Sequence, residues 1–159
     1  MQTPVTTAAL AALALLVPRG PLAAQTAAAQ PPDPEILKTV GRMFDAMRAR
    51  DTVALKAVLD TSARLVTTTT RDGRPVMRVG SIQRFIGAVG AATEPLDERL
   101  FDPEVRQDGN LATVWTRYTF YLGIQLSHCG YDAFQLFRSD AGWKIIHIAD
   151  TQRREGCEP

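Results

Sequence analysis

The spacing of apolar residues predicts helices in the first half of the domain. Asp33 followed by Pro34 is typical of a helix N-terminus, and the apolar pattern that follows predicts a helix over 34–50. Asp51 and Ser81 are favourable N-cap residues, each followed by a shorter stretch with apolar residues on one side. Apolar residues recur at intervals of three and four in the first helix at Ile36, Val40, Met43, Phe44 and Met47.

The second half of the chain is rich in β-branched and aromatic residues and predicts a sheet. Asp72-Gly73 is a hairpin signal, and Pro103 indicates an edge strand or a bulge. Helices followed by a run of antiparallel strands predict an α+β domain. The predicted strands are 63–70, 74–79, 96–106, 111–123, 128–138 and 143–151.

The N-terminal segment 1–24 has the pattern of a secretory signal peptide. Residues 8–17 are ten apolar residues in a row, and small residues precede possible cleavage sites after Ala24 or Ala29. The segment lacks lysine or arginine at its start, so a disordered Ala/Pro leader is the alternative. We expect an exported protein, periplasmic or secreted, with a disordered linker over 25–33 and a single domain over 34–159.

Composition and charge exclude several classes of protein. The 159 residues are 45% hydrophobic and 22% charged, which is typical of one globular domain. The net charge of +1 argues against nucleic-acid binding, and no apolar run approaches the ~18 residues of a membrane-spanning helix. The spacing of the two histidines, without a clear set of carboxylates, is a weak indication of a metal site. We therefore expect no metal and no cofactor.

Cys129 and Cys157 are expected to form a disulfide. Both follow the predicted cleavage site, and an oxidising compartment favours the bond. The segment 153–156 can turn the tail back towards Cys129. Two unrelated buried thiols are the alternative. A catalytic dyad of Cys129 with His128 is disfavoured, because adjacent strand residues point to opposite faces of a sheet.

Pairing the predicted strands from their hairpins places Tyr118 opposite Asp132, and Phe134 opposite His147. One face then becomes an apolar wall containing a few titratable groups, as a ligand cavity requires. Its members are Val114, Thr116, Tyr118, Phe120, Leu122, His128, Asp132, Phe134, Leu136, Trp143, Ile145 and His147. The other face mixes aromatic and charged residues, among them Trp115, Arg117, Tyr131, Phe137 and Ile148.

The candidate chemistry centres on Asp132 and Tyr118. Burial raises the pKa of an aspartate, and a protonated carboxyl beside a phenol could donate hydrogen bonds to an enolate, as in the ketosteroid isomerase that is the standard example of this effect. The alternative is a buried structural aspartate that accepts hydrogen bonds from neighbouring Tyr, Thr or backbone N–H groups. His128 and His147 could act as acid or base, or could be structural.

We expect the bound molecule to contact the apolar wall and the polar rim formed by residues 150–154 at the end of the last strand. Arg153 could bind a ligand carboxylate there, although a solvated surface charge is the alternative. The predicted contact residues are Tyr118, Phe120, His128, Asp132, Phe134, Trp143, His147 and Arg153, and those predicted for catalysis are Asp132, Tyr118 and His128.

Three segments resemble the nuclear-transport-factor-2-like superfamily, which includes SnoaL-like and ketosteroid-isomerase-like proteins. Residues 44–51 resemble the end of that family's first helix, 54–63 its short second helix entering the first strand, and 142–146 its final hairpin. The resemblance covers about 115 residues. It implies three helices packed in a strongly curved, mostly antiparallel sheet that forms a cone-shaped cavity, often in a homodimer.

The resemblance also weakens one catalytic hypothesis. Ketosteroid isomerases carry an aspartate early in the first strand and a tyrosine on the first helix, where this chain has Thr67 and Met43. Neither can replace the lost group. We therefore favour binding of a small, largely apolar molecule without catalysis. The alternative is an isomerase, cyclase or dehydratase using Tyr118, Asp132 and a histidine, and a third hypothesis is an interaction domain with a vestigial cavity.

Overall fold

The computed structural model describes residues 31–158, so the predicted signal peptide over 1–24 and most of the predicted linker lie outside the described residues. The described part is an α+β domain with three helices packed against one curved, unclosed sheet, which confirms the predicted fold class. The helices are α1 (Glu35–Ala49), α2 (Thr52–Val58) and α3 (Ile82–Ala91). The strands are β1 (Leu59–Arg71), β2 (Arg74–Ser81), β3 (Leu96–Asp108), β4 (Leu111–Leu122), β5 (Gln125–Ser139) and β6 (Gly142–Gln152).

The six strands form one sheet in the order β2-β1-β6-β5-β4-β3. Within the described residues, β1 pairs with β6 in parallel and every other neighbouring pair is antiparallel. Because β1 joins the last strand of the chain, the hairpin β1–β2 is added to the antiparallel run β3–β6. Helix α1 contacts the edge strand β3 and the central strand β6 of this sheet.

Helix α1 buries the apolar face that the sequence predicts, with Phe44 packed edge-on against Phe134 of β5 at a centroid distance of 5.9 Å. Arg50 ends the helix in the left-handed conformation at φ 56°. Asp51 then caps α2 by accepting hydrogen bonds from the amides of Val53 and Ala54. The tight α1–α2 corner directs β1 into the sheet.

The parallel β1–β6 ladder is interrupted between Leu59 and Arg64, and three one-residue shifts interrupt the antiparallel ladders of the sheet. The three shifts lie in β3 between Phe101 and Glu104, in the β4–β5 pair beside Phe120, and in the β5–β6 pair beside Gln135. Asp102 adopts a positive φ of 52° next to Pro103, so the bulge expected at Pro103 on an edge strand is present. Each shift moves every side chain beyond it to the opposite face.

The predicted linker ends in an ordered residue, Asp33. Its backbone amide donates to Gln107 Oε1 at 2.7 Å, and its carboxylate accepts from the Trp143 indole at 3.0 Å. The same carboxylate accepts from the amide of Glu35 at 2.9 Å, where α1 begins. Asp33 therefore joins the start of the helix to the final hairpin.

The disulfide between Cys129 and Cys157 is confirmed, with the two Cα atoms 5.6 Å apart. Cys129 also forms a two-hydrogen-bond bridge with the backbone of Arg153. The C-terminal tail is thus attached to β5 by covalent and hydrogen bonds. No helix among residues 31–158 is long and apolar enough to cross a membrane.

Candidate functional site

A cavity of about 250 Å³ lies between α1, α3 and the concave face of the sheet. Its apolar part includes Met43, Phe44, Met47, Leu65, Phe85, Val89, Phe120 and Phe134. Its polar groups are Thr67, Glu98, Tyr118, His128, Asp132, Asp150 and Gln152. The volume is just below the range of about 300–1,000 Å³ for drug-sized ligands, so the space suits a smaller molecule.

Five of the eight residues predicted to contact a ligand line this cavity: Tyr118, Phe120, His128, Asp132 and Phe134. The structure places the other three elsewhere. Both positions inferred from the ketosteroid isomerases, Met43 and Thr67, also line it.

The predicted position of His147 is wrong because β6 contains an extra residue. His147 pairs with Gln135 rather than Phe134, and Ile148 takes the place opposite Phe134. This one-residue shift turns His147 to the outer face and turns Ile148 into the cavity.

Trp143 and Arg153 also lie outside the cavity. The Trp143 indole is buried and donates to Asp33, beside an open surface groove between α1, α2 and the β5–β6 hairpin, so its contacts are structural. Arg153 is exposed, because β6 ends at Gln152 and the tail turns towards Cys129. It borders a separate groove next to the cavity.

Tyr118 and Asp132 share the cavity face, as expected, but they are not opposite each other. Tyr118 pairs with Gly130 and Asp132 pairs with Thr116. The pairing differs from the prediction because the β4–β5 turn is shorter than assumed, with Leu122 opposite Gln125, and a bulge follows beside Phe120. The Tyr118 hydroxyl donates to the Thr151 carbonyl at 2.9 Å and lies 3.5 Å from Asp150 Oδ2. Burial raises the pKa of Tyr118 above its ordinary value, so this phenol keeps its proton at neutral pH.

The most unusual feature of the cavity is a pair of buried carboxyl groups, Glu98 and Asp132. Asp132 is only 3% exposed, and its Oδ2 atom accepts no hydrogen bond from any described residue. Burial raises the pKa of Asp132 to about 7. Burial, together with the nearby Asp132 charge, raises the pKa of Glu98 well above its usual range. A proton on one of the two carboxyls gives the pair a hydrogen bond that two carboxylates would lack.

A third carboxyl group, Asp150, lies beside this pair. The Thr67 hydroxyl donates to Asp150 Oδ1 at 2.8 Å. Burial raises the pKa of Asp150, and the hydrogen bonds from Thr67 and Tyr118 oppose that effect. Asp150 therefore interacts with hydroxyl donors, whereas the partner of Asp132 is the carboxyl group of Glu98.

His128 lies where the cavity meets the surface. Its ring packs against Phe120 at a centroid distance of 4.7 Å, and burial followed by the Arg154 charge lowers its pKa. Gln152 Nε2 is 3.3 Å from His128 Nε2, and Gln152 Oε1 accepts from Arg78 at 3.3 Å. This amide orientation assigns Nε2 of a neutral His128 as the acceptor and leaves the Nδ1 proton for Ser127, 3.1 Å away.

The sequence interpretation missed Glu98 altogether and placed Asp150 only on the polar rim. A signal for Glu98 is present, since Leu96 and Leu100 flank it at the two-residue spacing of a strand face. Although three carboxyls line the cavity, no group of histidine, cysteine, aspartate or glutamate side chains within 31–158 has an arrangement suited to a metal ion. The arrangement can instead bind a polar group of an organic molecule, or transfer a proton.

Helices packed in a curved sheet around a mostly apolar cavity define an α+β cone protein. Comparison with solved structures identifies the fold as nuclear-transport-factor-2-like, which confirms the resemblance at the level of the fold. No family model matches the sequence, and no curated protein matches it.

Three solved structures illustrate the similarity. A nuclear-transport-factor-2-like protein from Cytophaga hutchinsonii is 17% identical, with a TM-score of 0.60 over 75% of this chain and 96% of that one. One from Pseudomonas putida, of unknown function, is 20% identical, with a TM-score of 0.58 over 79% and 94%. One from Streptomyces avermitilis, provisionally described as a dehydratase, is 18% identical, with a TM-score of 0.58 over 75% and 94%.

Proposed function

We propose that this protein binds a small, largely apolar molecule in the cone cavity. The observation that carries the proposal is the half-open cavity of about 250 Å³ with a mostly apolar lining and a buried pair of carboxyl groups, Glu98 and Asp132. Mostly apolar cavities with a few convergent polar groups are typical of ligand sites. A hydroxyl or amide on the ligand would hydrogen-bond to the polar groups of the cavity, since an unsatisfied buried polar group costs about 1–3 kcal/mol.

Native mass spectrometry of protein purified from an exporting host tests the proposal. We expect an adduct that is lost on denaturation, and whose mass begins the identification of the ligand. Ala88→Trp places a large side chain in the cavity from the exposed face of α3, and should abolish the adduct. Gln83→Ala, on the same helix but outside the cavity lining, is the matched control and should retain it. An adduct of equal occupancy in Ala88→Trp would contradict the proposal.

Acid–base catalysis is the second candidate function, and the Glu98–Asp132 pair favours it. A carboxyl with a pKa of about 7 is suited to proton transfer at neutral pH. The catalytic roles then differ from those expected from sequence, because the Tyr118 proton is donated to the Thr151 carbonyl and the Nε2 lone pair of His128 faces the Gln152 amide. The candidate acid and base are therefore Asp132 and Glu98, and Tyr118 and His128 orient the ligand.

Asp132→Asn separates the two candidate functions. The amide keeps the shape of the side chain but cannot exchange a proton at neutral pH. If the protein only binds, the variant should retain the ligand with a changed affinity. If it catalyses proton transfer, the bound molecule should accumulate unreacted in the variant, and product should appear only with the wild type.

Export remains a proposal that rests on the apolar segment 8–17, and the disulfide is compatible with it. Residues 1–30 fused to an alkaline phosphatase that is active only after export should give activity. Replacing Leu13 and Leu15 by aspartate should abolish it, because an uninterrupted apolar segment is what the export machinery recognises. Equal activity of both fusions would contradict the proposal.

We also propose that the outer sheet face forms a homodimer. Trp115 and Tyr131 stack at 5.2 Å on that face while remaining 48% and 36% exposed. Exposed aromatic pairs of this kind are enriched in interfaces. Light scattering should show a dimer for the wild type and a monomer for Trp115→Lys, with Leu37→Lys on α1 as the control. A monomeric wild type would contradict the proposal.

A further inference from the structure

A second open space, of about 630 Å³, adjoins the cavity where His128 and Gln152 line both. Its rim carries Arg71 from the end of β1, Arg78 from β2, and Arg153 and Arg154 from the tail after β6. We call this space the arginine groove. One acidic side chain, Glu155, accompanies the four guanidinium groups.

The guanidinium groups of the arginine groove are not neutralised. None of the four forms an ion pair with any residue of the range 31–158, although arginines elsewhere in that range do. Their charge is nevertheless felt at the cavity entrance. Arg154 disfavours the imidazolium form of His128, and Arg78 favours the ionised form of Asp150. The entrance is therefore an electropositive, partly desolvated position.

The backbone that carries these arginines is fixed. Arg153 makes two backbone hydrogen bonds to Cys129, and the disulfide attaches the following residues to the same strand. Arg78 donates to Gln152, whose amide contacts His128. The groove is thus built on paired strands and a covalently attached tail, as a site of defined geometry requires.

The interior of the cavity has the opposite electrostatic character. Glu98, Asp132 and Asp150 lie there. A negatively charged ligand group would be repelled by each of these carboxyls that is ionised, or would require it to bind a proton. An anionic group is therefore disfavoured deep in the cavity and favoured at the entrance. This polarity orients an elongated ligand, with its apolar end inward and its charged end at the arginines.

We propose that the molecule bound by this protein is an amphiphilic anion, whose apolar body fills the cone cavity and whose terminal oxyanion group binds in the arginine groove. The inference rests on the proposed function, because the apolar body needs the cavity. Arginine binds carboxylate and phosphate groups through paired hydrogen bonds, so both chemistries fit. A neutral apolar molecule of the same size is a poorer ligand.

Isothermal titration calorimetry with three matched probes tests this assignment. They are 4-tert-butylbenzoate, 4-tert-butylphenyl phosphate and the neutral 4-tert-butylbenzyl alcohol. We expect at least one anion to bind about tenfold or more tightly than the alcohol, because charge-assisted hydrogen bonds are stronger than neutral ones. Whichever anion binds more tightly identifies the acid group. Equal affinity of all three would overturn the proposal.

The variant Arg71→Gln/Arg154→Gln removes two charges whose side chains make no hydrogen bond in the described residues. It should reduce anion affinity about tenfold and leave the affinity for the alcohol unchanged. Arg106→Gln, on the exposed edge of β3, is the control and should change neither. Unchanged anion affinity in the double variant would overturn the assignment.

Ala88→Trp distinguishes failure of this inference from failure of the proposed function. If the anions bind Ala88→Trp as tightly as the wild type, the groove is an anion site independent of the cavity, and the amphiphile is excluded. If the alcohol binds the wild type but not Ala88→Trp, and the anions bind the wild type no more tightly than the alcohol does, the cavity binds ligands but the arginine assignment fails. If no probe binds the wild type, both proposals fail.

Discussion

Gly130 and Thr151 approach so closely that a β-carbon on Gly130 would lie 1.8 Å from the Thr151 carbonyl oxygen. That oxygen points across the sheet and accepts the hydrogen bond of the Tyr118 hydroxyl. Tyr131 next to Gly130 donates its amide to the Thr151 hydroxyl at 2.9 Å. The absence of a side chain at position 130 thus allows β6 to bring its carbonyl, and Asp150 with it, to the cavity.

Gly130→Ala is expected to destabilise the protein by about 2–4 kcal/mol, because the methyl group would displace the β6 backbone. Chemical denaturation measures this change. Gly41→Ala is the matched control, since Gly41 lies inside α1 with no atom within 4 Å of its missing β-carbon. We expect that control to gain about 0.5–1 kcal/mol. Similar stability of Gly130→Ala and the wild type would contradict the predicted clash.

Asp132→Asn is expected to change how stability depends on pH. The pKa of Asp132 is raised from 3.8 to about 7 in the folded protein, so the folded state binds more protons than the unfolded state between these values. Its contribution is therefore most favourable below about pH 4 and decreases as the pH rises to about 7. Relative to the wild type, Asp132→Asn should gain about 2–4 kcal/mol between pH 4 and pH 8.

Urea denaturation at the two pH values measures this difference, and the exposed Asp140→Asn is the control. Groups distant from Asp132 cancel in the comparison with wild type. Glu98 does not, because Asp132→Asn removes a charge that raises its pKa, so the measured difference belongs to the Glu98–Asp132 pair. A constant difference between Asp132→Asn and wild type across this range would show that Asp132 titrates normally.

His128 is expected to titrate below the usual value of about 6.5 for histidine. NMR titration of the imidazole protons measures this, and His147→Gln assigns the remaining signal. Arg154→Gln should raise the pKa of His128 towards its usual value, because it removes a nearby positive charge. A pKa above 6.5 in the wild type would show that the ring is more solvated than the structure indicates.

Reduction of the disulfide is expected to destabilise the protein by about 3 kcal/mol, as expected for closing a loop of 28 residues. Thermal denaturation with and without reductant measures the loss. The variant Cys129→Ser/Cys157→Ser should resemble the reduced wild type and should not respond to reductant. Identical thermal midpoints of oxidised and reduced wild type would contradict this expectation.

The order of elements and the identity of most core residues could be predicted from sequence, because helix periodicity, caps and hairpin signals are local. The helix face of α1 and the N-cap at Asp51 are examples. Pairing of distant strands was predictable only up to the first bulge. A single extra residue reverses every inward and outward assignment beyond it.

Two such bulges account for the main errors at the site. Counting back from the β3–β4 turn without a bulge places Glu98 opposite Tyr121 on the outer face, whereas the shift beside Pro103 places it opposite Phe120. The shift in β6 likewise replaces His147 by Ile148 opposite Phe134 and turns Asp150 into the cavity. A bulge is stabilised by contacts from the whole sheet, so neither shift could be located from local sequence.

The parallel pairing of β1 with β6 has a consequence for folding. Thr67 and Asp150 meet across this pair, 83 positions apart in the chain. Contacts between such distant positions carry a large loop-closure entropy and form slowly. The β3–β6 meander can assemble from neighbouring hairpins, but the acidic end of the cavity requires the final strand to meet the first. A nascent chain lacking its last ten residues would therefore have an incomplete cavity. If the protein binds a ligand there as proposed, ligand present during folding would favour the correct closure of β1 onto β6.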